Sequence, residues 1–221
     1  MTPQHFEARD LQTRKLLGIG LNYRAHADDL GAPYPDAPVF FTKGEHTIAP
    51  SNASIELPPD SDRVTTEAEL GLVVGRECHE VGQSDALDYV AGIVAVLDQT
   101  AEDILQRNPR FLVWSKNYPT FLVVEPALVP LERAREVGGA DLGKLVVSTV
   151  HNGAVHRQSP VSDMVFSPAE IVSRLSHTMP LRPGDLICTG TPGAVPLADG
   201  DAVACRIEGL AAAHAAVVRR Q

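Results

Sequence analysis

The segment TTEAELGLVVG carries two carboxylates, Glu67 and Glu69, one residue apart beside the apolar run from Leu70 to Val74, which Gly75 closes. A carboxylate is costly to desolvate, so acids in this position need water, a cationic partner or a metal ion. In a strand, residues two apart face the same side, and the two side chains can converge on one cation. Asp98 ends the next apolar run, AGIVAVLD, and completes a three-carboxylate face if the two strands are neighbours. Three hard anionic oxygens without Cys or His select Mg2+, with Mn2+ or Ca2+ as alternatives, over Zn2+. Spacing alone leaves a second reading open, in which alternation turns both glutamates to water or to arginine partners.

The elements that must position these acids are mostly strands. KLLGIGL reads as an early strand and PVFFTK as a second. SDALDYV is expected to form a brief helix capped by Ser84, and AGIVAVLD a fully buried strand ending on Asp98. LVVSTVHNGAVHRQ predicts a hairpin turning at Asn152-Gly153, a dipeptide that tolerates the positive φ angles of a type I′ turn. SPAEIVSRLSHTM is the clearest helix, with Ser167 as cap, Pro168 at its first position, Glu170 completing a capping box, and Ile171 and Leu175 sharing a face. LRPGDLICTGTPGAV gives a turn, a short apolar strand and a loop, whereas ERAREVGGADLG reads as a surface excursion. Helices inserted singly among strands predict a mixed, β-rich α+β fold in one domain spanning residues 1–221, not a doubly wound sheet.

Composition narrows the partners. The 221 residues are 44% hydrophobic and 21% charged, ordinary for a globular chain with a substantial core. A formal charge of −9 with no Lys/Arg cluster argues against a nucleic-acid surface. Arg219 and Arg220 read as a solvated end. No apolar run is long enough to span a bilayer, and MTPQHFEARD lacks the apolar region of a signal peptide. Cys78, Cys188 and Cys205 are scattered, as expected of buried thiols in a reducing, cytoplasmic setting. There is no GxGxxG, no P-loop lysine in GTPGAV and no GxSxG elbow, and His151 and His156 read as surface residues flanking the hairpin turn.

Five motifs, GIGLNYRAHADD, TEAELGLVVG, VLDQTAED, WSKNYPTF and RPGDLICTGTPGAV, stand in the order and spacing of the fumarylacetoacetate hydrolase family. The resemblance runs from about Gly18 to Leu210 and is closest to the short, single-domain members. It implies a β-sandwich roll with a few short helices, a metal centre, a homodimer, and a small 2-oxo or 1,3-diketo acid as substrate. By the same resemblance, Glu67, Glu69 and Asp98 are the metal ligands. His26 is the general base, in a lid segment near residues 24–34, and Asp29 is its partner where the family usually has Glu. Lys116 serves catalysis and binds the substrate's anionic end, and Thr191 contacts the bound acid.

Departures from the family pattern bear on the substrate. Glu102 stands where the family commonly has Arg, Leu105 where it has Gln, and Glu125 where it has a small residue. If Glu102 and Glu125 face the pocket, they disfavour a dianionic substrate such as oxaloacetate. The implied activity is Mg2+-dependent C–C bond hydrolysis of an acylpyruvate-like acid. The alternatives are a decarboxylase or keto–enol isomerase using the same site and, from another class, a non-catalytic metal-dependent binder of small organic acids.

Overall fold

The computed structural model describes residues 15–219; MTPQHFEARD and Arg220 lie outside them, as do both ends of the expected 1–221 domain. The first strands are β1 (Leu16–Gly20), β2 (Val39–Lys43), β3 (Ile48–Pro50) and β4 (Ser54–Leu57). Two long central strands follow, β5 (Val64–Val74) and β6 (Val90–Ala101), then the short β7 (Leu122–Val124) and β8 (Val129–Pro130). The C-terminal half adds β9 (Val146–His151), β10 (Ala154–Pro160), β11 (Leu186–Cys188), β12 (Ala194–Pro196), β13 (Ala202–Ile207) and β14 (Ala211–Arg219). Five α-helices are interspersed among the described residues: α1 (Arg24–Asp29), α2 (Glu102–Arg107), α3 (Leu112–Ser115), α4 (Leu131–Gly138) and α5 (Pro168–Thr178). None is long and apolar enough to cross a membrane.

The strands form two sheets. The larger runs β2-β1-β11-β5-β6-β7-β3, with β12 and β8 pairing the ends of β5 and β6; the smaller runs β10-β9-β13-β14-β4. This is the strand-rich α+β architecture expected from the sequence. Leu70, Leu72, Ile93 and Leu97 of the large sheet share one core with Val147, Val203, Ile207 and Val217 of the small one. The alternate residues Val73, Val94 and Val96 form a second, smaller cluster on the other face. Glu67, Glu69 and Asp98 have the same parity as that second set, so pleating directs them away from the inter-sheet core.

Several local expectations hold. Asn152 and Gly153 turn the β9–β10 hairpin with φ of 49° and 83°, and Ser167 Oγ caps α5 by accepting from the Glu170 N–H. The rest of the capping box differs, because Glu170 pairs with Arg174 instead. SDALDYV forms only a 3-10 turn at Ala86–Tyr89, preceded by Asp85 rather than capped by Ser84. ERAREVGGADLG is largely helix α4, whose Leu131 and Ala134 are buried. Arg219 belongs to β14 and pairs with Leu57 rather than fraying. Strand β6 continues past Asp98 to Ala101, and β5 begins three residues before Glu67. Both acids therefore lie within strands rather than at their mouths.

Gly190, just past β11, holds the loop that meets the acids. Its φ is +97°, and a Cβ there would lie 2.8 Å from Asn22 Cβ and 3.2 Å from the Ile19 carbonyl. A left-handed backbone alone costs a non-glycine residue roughly 1–2 kcal/mol, and the contact adds to it. Gly190→Ala is therefore expected to lower the thermal midpoint by several degrees; an unchanged midpoint would show that the loop relaxes freely.

Candidate metal centre and active site

The antiparallel register of β5 and β6 sets Glu67 directly opposite Asp98, and Glu69 lies two residues along on the same face. One carboxylate oxygen from each residue lies within 4.8 Å of the others. Glu69 and Asp98 are buried, at 1% and 0% exposure, whereas Glu67 keeps 14% of its side chain open at the edge of a cavity. The structure thus brings together the three residues that the sequence could only join by assuming the pairing.

Two buried ammonium groups face these acids. Lys116, at the C-terminal end of α3, donates to Glu67 Oε2 and to Asp98 Oδ2, both at 2.9 Å. Lys43, the last residue of β2, donates to Asp98 Oδ1 at 2.5 Å. Thr100 Oγ1 donates to Glu67 Oε1 at 2.7 Å, and the Gly190 N–H donates to Glu69 Oε2 at 2.7 Å.

The protonation equilibria follow from this arrangement. Burial would raise Glu67, but Lys116, His26 and the Thr100 hydroxyl outweigh it and hold the carboxyl below its usual range. Burial is the main force pushing Glu69 well above that range, reinforced by the Asp98 and Glu67 charges. Burial also pulls Lys43 down despite Asp98. For Lys116, the Asp98, Glu67 and Glu69 charges overcome burial and drive the ammonium up.

The donor set fits a hard divalent cation. Three oxygen donors converge without sulfur or imidazole among them. Burial, with the Asp98 and Glu67 charges beside it, disfavours the ionised form of Glu69, and a divalent ion held by the three carboxylates would offset that cost.

Around the open edge lies a cavity of about 380 Å3 lined by Glu67, Lys116, His26 and Thr191, among others. His26 sits on the short helix α1, which Asn22 moors: its side-chain amide donates to Phe166 O and Thr189 O and accepts from the Phe166 N–H. Thr191 Oγ1 both donates to Gly193 O and accepts from its N–H, which fixes the GTPG turn.

Asp29 does not meet His26 here. It accepts from Arg157 at 2.6 Å, across an exposed ion pair that joins α1 to β10. A shift in register between Val155 and Arg157 re-aims that strand, and the Arg157 stem packs over Gly193. Of the three departures, Glu102 and Leu105 line the cavity; Glu125 is not among its lining residues and accepts from the Ala127 N–H instead.

The sequence reading missed Lys43, Thr100 and Gly190 as partners of the acids. A signal existed only for Lys43, a lysine closing the apolar VFFTK run on the same parity as buried Phe41.

The long β5–β6 ladder thus carries an acidic cluster that could hold a metal ion, beside a cavity that a histidine, a lysine and a threonine line. The sequence profile of the family described as fumarylacetoacetate (FAA) hydrolase C-terminal matches residues 15–218. The chain is 32% identical over 202 residues to an oxaloacetate decarboxylase, mitochondrial, of Dictyostelium discoideum, covering 89% of this chain and 90% of that protein. The solved structure of a fumarylpyruvate hydrolase from Pseudomonas aeruginosa, in complex with Mn2+ and pyruvate, superposes with a TM-score of 0.84 at 28% identity, covering 94% of this chain and 90% of that one. A 2-hydroxyhepta-2,4-diene-1,7-dioate isomerase from Mycobacterium marinum gives 0.82 at 33% identity, over 95% of this chain and 76% of that one. The chain belongs to the fumarylacetoacetate hydrolase family and is an enzyme of it.

If the triad binds a cation, Mn2+ or Mg2+ at about a hundred times Kd should stabilise the parent by about 2.7 kcal/mol. Glu67→Gln and Asp98→Asn should lose most of that gain in thermal unfolding. An equal shift in the parent and both variants would place the ion elsewhere.

Proposed function

We infer that this enzyme hydrolyses a C–C bond of an acylpyruvate-like 1,3-diketo (2-oxo) acid with the help of a divalent metal, Mg2+ by preference and Mn2+ or Ca2+ as alternatives. The observation that carries this reading is the convergence of Glu67, Glu69 and Asp98 beside Lys116 and His26 at one cavity. The Pseudomonas aeruginosa relative, with its Mn2+ and pyruvate, supports it.

A cation held by the three carboxylates would supply Lewis-acid chemistry to the carboxylate and keto oxygen of the acid. His26 takes a proton from water, and the resulting hydroxide attacks the distal carbonyl. The C–C bond then breaks, its electron pair passes into the enolate of pyruvate, and a carboxylic acid is the other product. Protonated His26 returns the proton to the enolate carbon. Lys116, kept charged by its carboxylate neighbours, opposes the negative charge that develops. Thr191 orients the bound acid by its hydroxyl.

Residues 24–34 act as the lid. This role is supported by the few apolar anchors of α1, where Ala27 alone is buried, and by the polar ties of Arg24 to Asp163 O and Met164 O. A second reading, decarboxylation or keto–enol isomerisation, uses the same electron sink without water and is favoured by the names of two relatives.

Steady-state assays with acetylpyruvate, oxaloacetate and a hydroxymuconate-type diacid, with and without Mg2+, separate these chemistries. His26→Ala is expected to lower acetylpyruvate turnover by roughly 10²–10⁴-fold while oxalate affinity barely changes. Asp29→Asn should cost less, since Asp29 is engaged by Arg157. Undiminished hydrolysis by the His26 variant would refute the hydrolytic mechanism.

A further inference from the structure

Beyond its polar groups, the wall of the cavity is hydrocarbon. Ile19, Leu30, Val39, Phe41, Leu105 and Leu112 line it, drawn from β1, the end of α1, β2, α2 and α3. Leu30 and Val39 remain 53% and 38% exposed, so apolar surface at the cavity is left for an occupant to cover. Among the described residues lining it, Lys116 and His26 are the basic groups. Lys116 is already bonded to Glu67 and Asp98, and His26 is assigned to proton transfer.

Glu102 also lines the cavity, and its carboxylate is held by Arg63 at 2.7 Å and by the Gln106 amide at 3.0 Å. Arg63 pairs with Glu102 through Nε and is not among the residues that line the cavity. A second substrate carboxylate would have to leave water against Phe41, Leu105 and Leu112, with no basic lining residue beyond the engaged Lys116 and the proton-transferring His26 to meet it, which is strongly unfavourable. An alkyl tail gains about three- to fourfold in affinity per buried methylene there.

We propose that the substrate of this chain is a monocarboxylic 2,4-dioxo acid with an apolar acyl tail, and that the pocket rejects acids ending in a second carboxylate. The proposal rests on the chelating 2-oxo acid reading given above. It separates this chain from relatives whose names specify fumarylpyruvate or a 1,7-dioate.

The test is calorimetric binding of oxamates to the full chain saturated with Mn2+. Oxamates carry the carboxylate and carbonyl of a 2-oxo acid on an amide that is not turned over. Oxamate should bind, and N-propyl- and N-pentyloxamate should bind progressively tighter by about three- to fourfold per methylene. N-(4-carboxybutyl)oxamate should bind at least about tenfold more weakly than the pentyl compound. Leu105→Arg, at a half-buried position, should reverse that order, each compound being compared with plain oxamate on the same variant. Affinity independent of tail length, or tighter binding of the carboxylate-ended compound by the parent, overturns the tail assignment while leaving the chelating site intact. Failure of oxamate itself to bind overturns the site reading and this proposal together. The parent series alone decides the question if the variant does not fold.

Discussion

Three carboxylates placed side by side and largely withdrawn from water are a severe electrostatic burden for a chain of this size. The burial of Glu69 and Asp98 opposite two lysines is the constraint on which the surrounding structure depends. Removing either partner of such an arrangement leaves an uncompensated buried charge, which is far worse than never having had the pair. The register of β5 against β6 must therefore be fixed, because a one-residue slip of either strand would turn that strand's acids into the inter-sheet core. That core supplies the restraint: Leu70, Leu72, Ile93 and Leu97 bury one face of the same two strands, so the alternation that fills the core also aims the acids.

The compensating groups come from elements far apart in the chain. Lys43 closes an edge strand, Lys116 ends a helix of a single turn, and the Gly190 amide lies in a left-handed turn. Lys43 and the Gly190 amide each make one contact with the acids and Lys116 makes two. The helix that carries His26 is held differently, by Asn22 at its base and by exposed polar pairs such as Arg157–Asp29. Exposed pairs of this kind contribute little to stability. The acids are thus set on two long paired strands, whereas α1 is fastened mainly by polar contacts.

Much of this was legible in the sequence because it rests on short-range periodicity. The Glu67-x-Glu69 spacing, the Asn152-Gly153 turn and the Ser167-Pro168 start of α5 each follow from strand pleating, turn stereochemistry or capping. The family resemblance added the roles of His26, Lys116 and Thr191, and the structure sets all three around one cavity. Asp98 was readable only on the assumption that two strands pair. What escaped depends on contacts between distant segments: Lys43 with Asp98, Arg63 with Glu102, Arg157 with Asp29. Glu102 shows the difficulty well. Its charge suggested a repulsive pocket, and its residue type gave no hint that Arg63 and Gln106 engage it from the rim. Helix α4 was overlooked for another reason, since its run of charges masks the two apolar positions, Leu131 and Ala134, that bury it.

The proposed chemistry requires that the acidic cluster and a 2-oxo acid share one cation. Electron paramagnetic resonance of Mn2+ on the full chain, with oxalate carrying oxygen-17, reads that directly. One Mn2+ bound per chain, with its hyperfine lines broadened by the labelled oxalate and not by the unlabelled compound, is the expected result. Narrow lines indifferent to the label, or a persistent spectrum of free Mn2+ in the presence of equimolar protein, would contradict it.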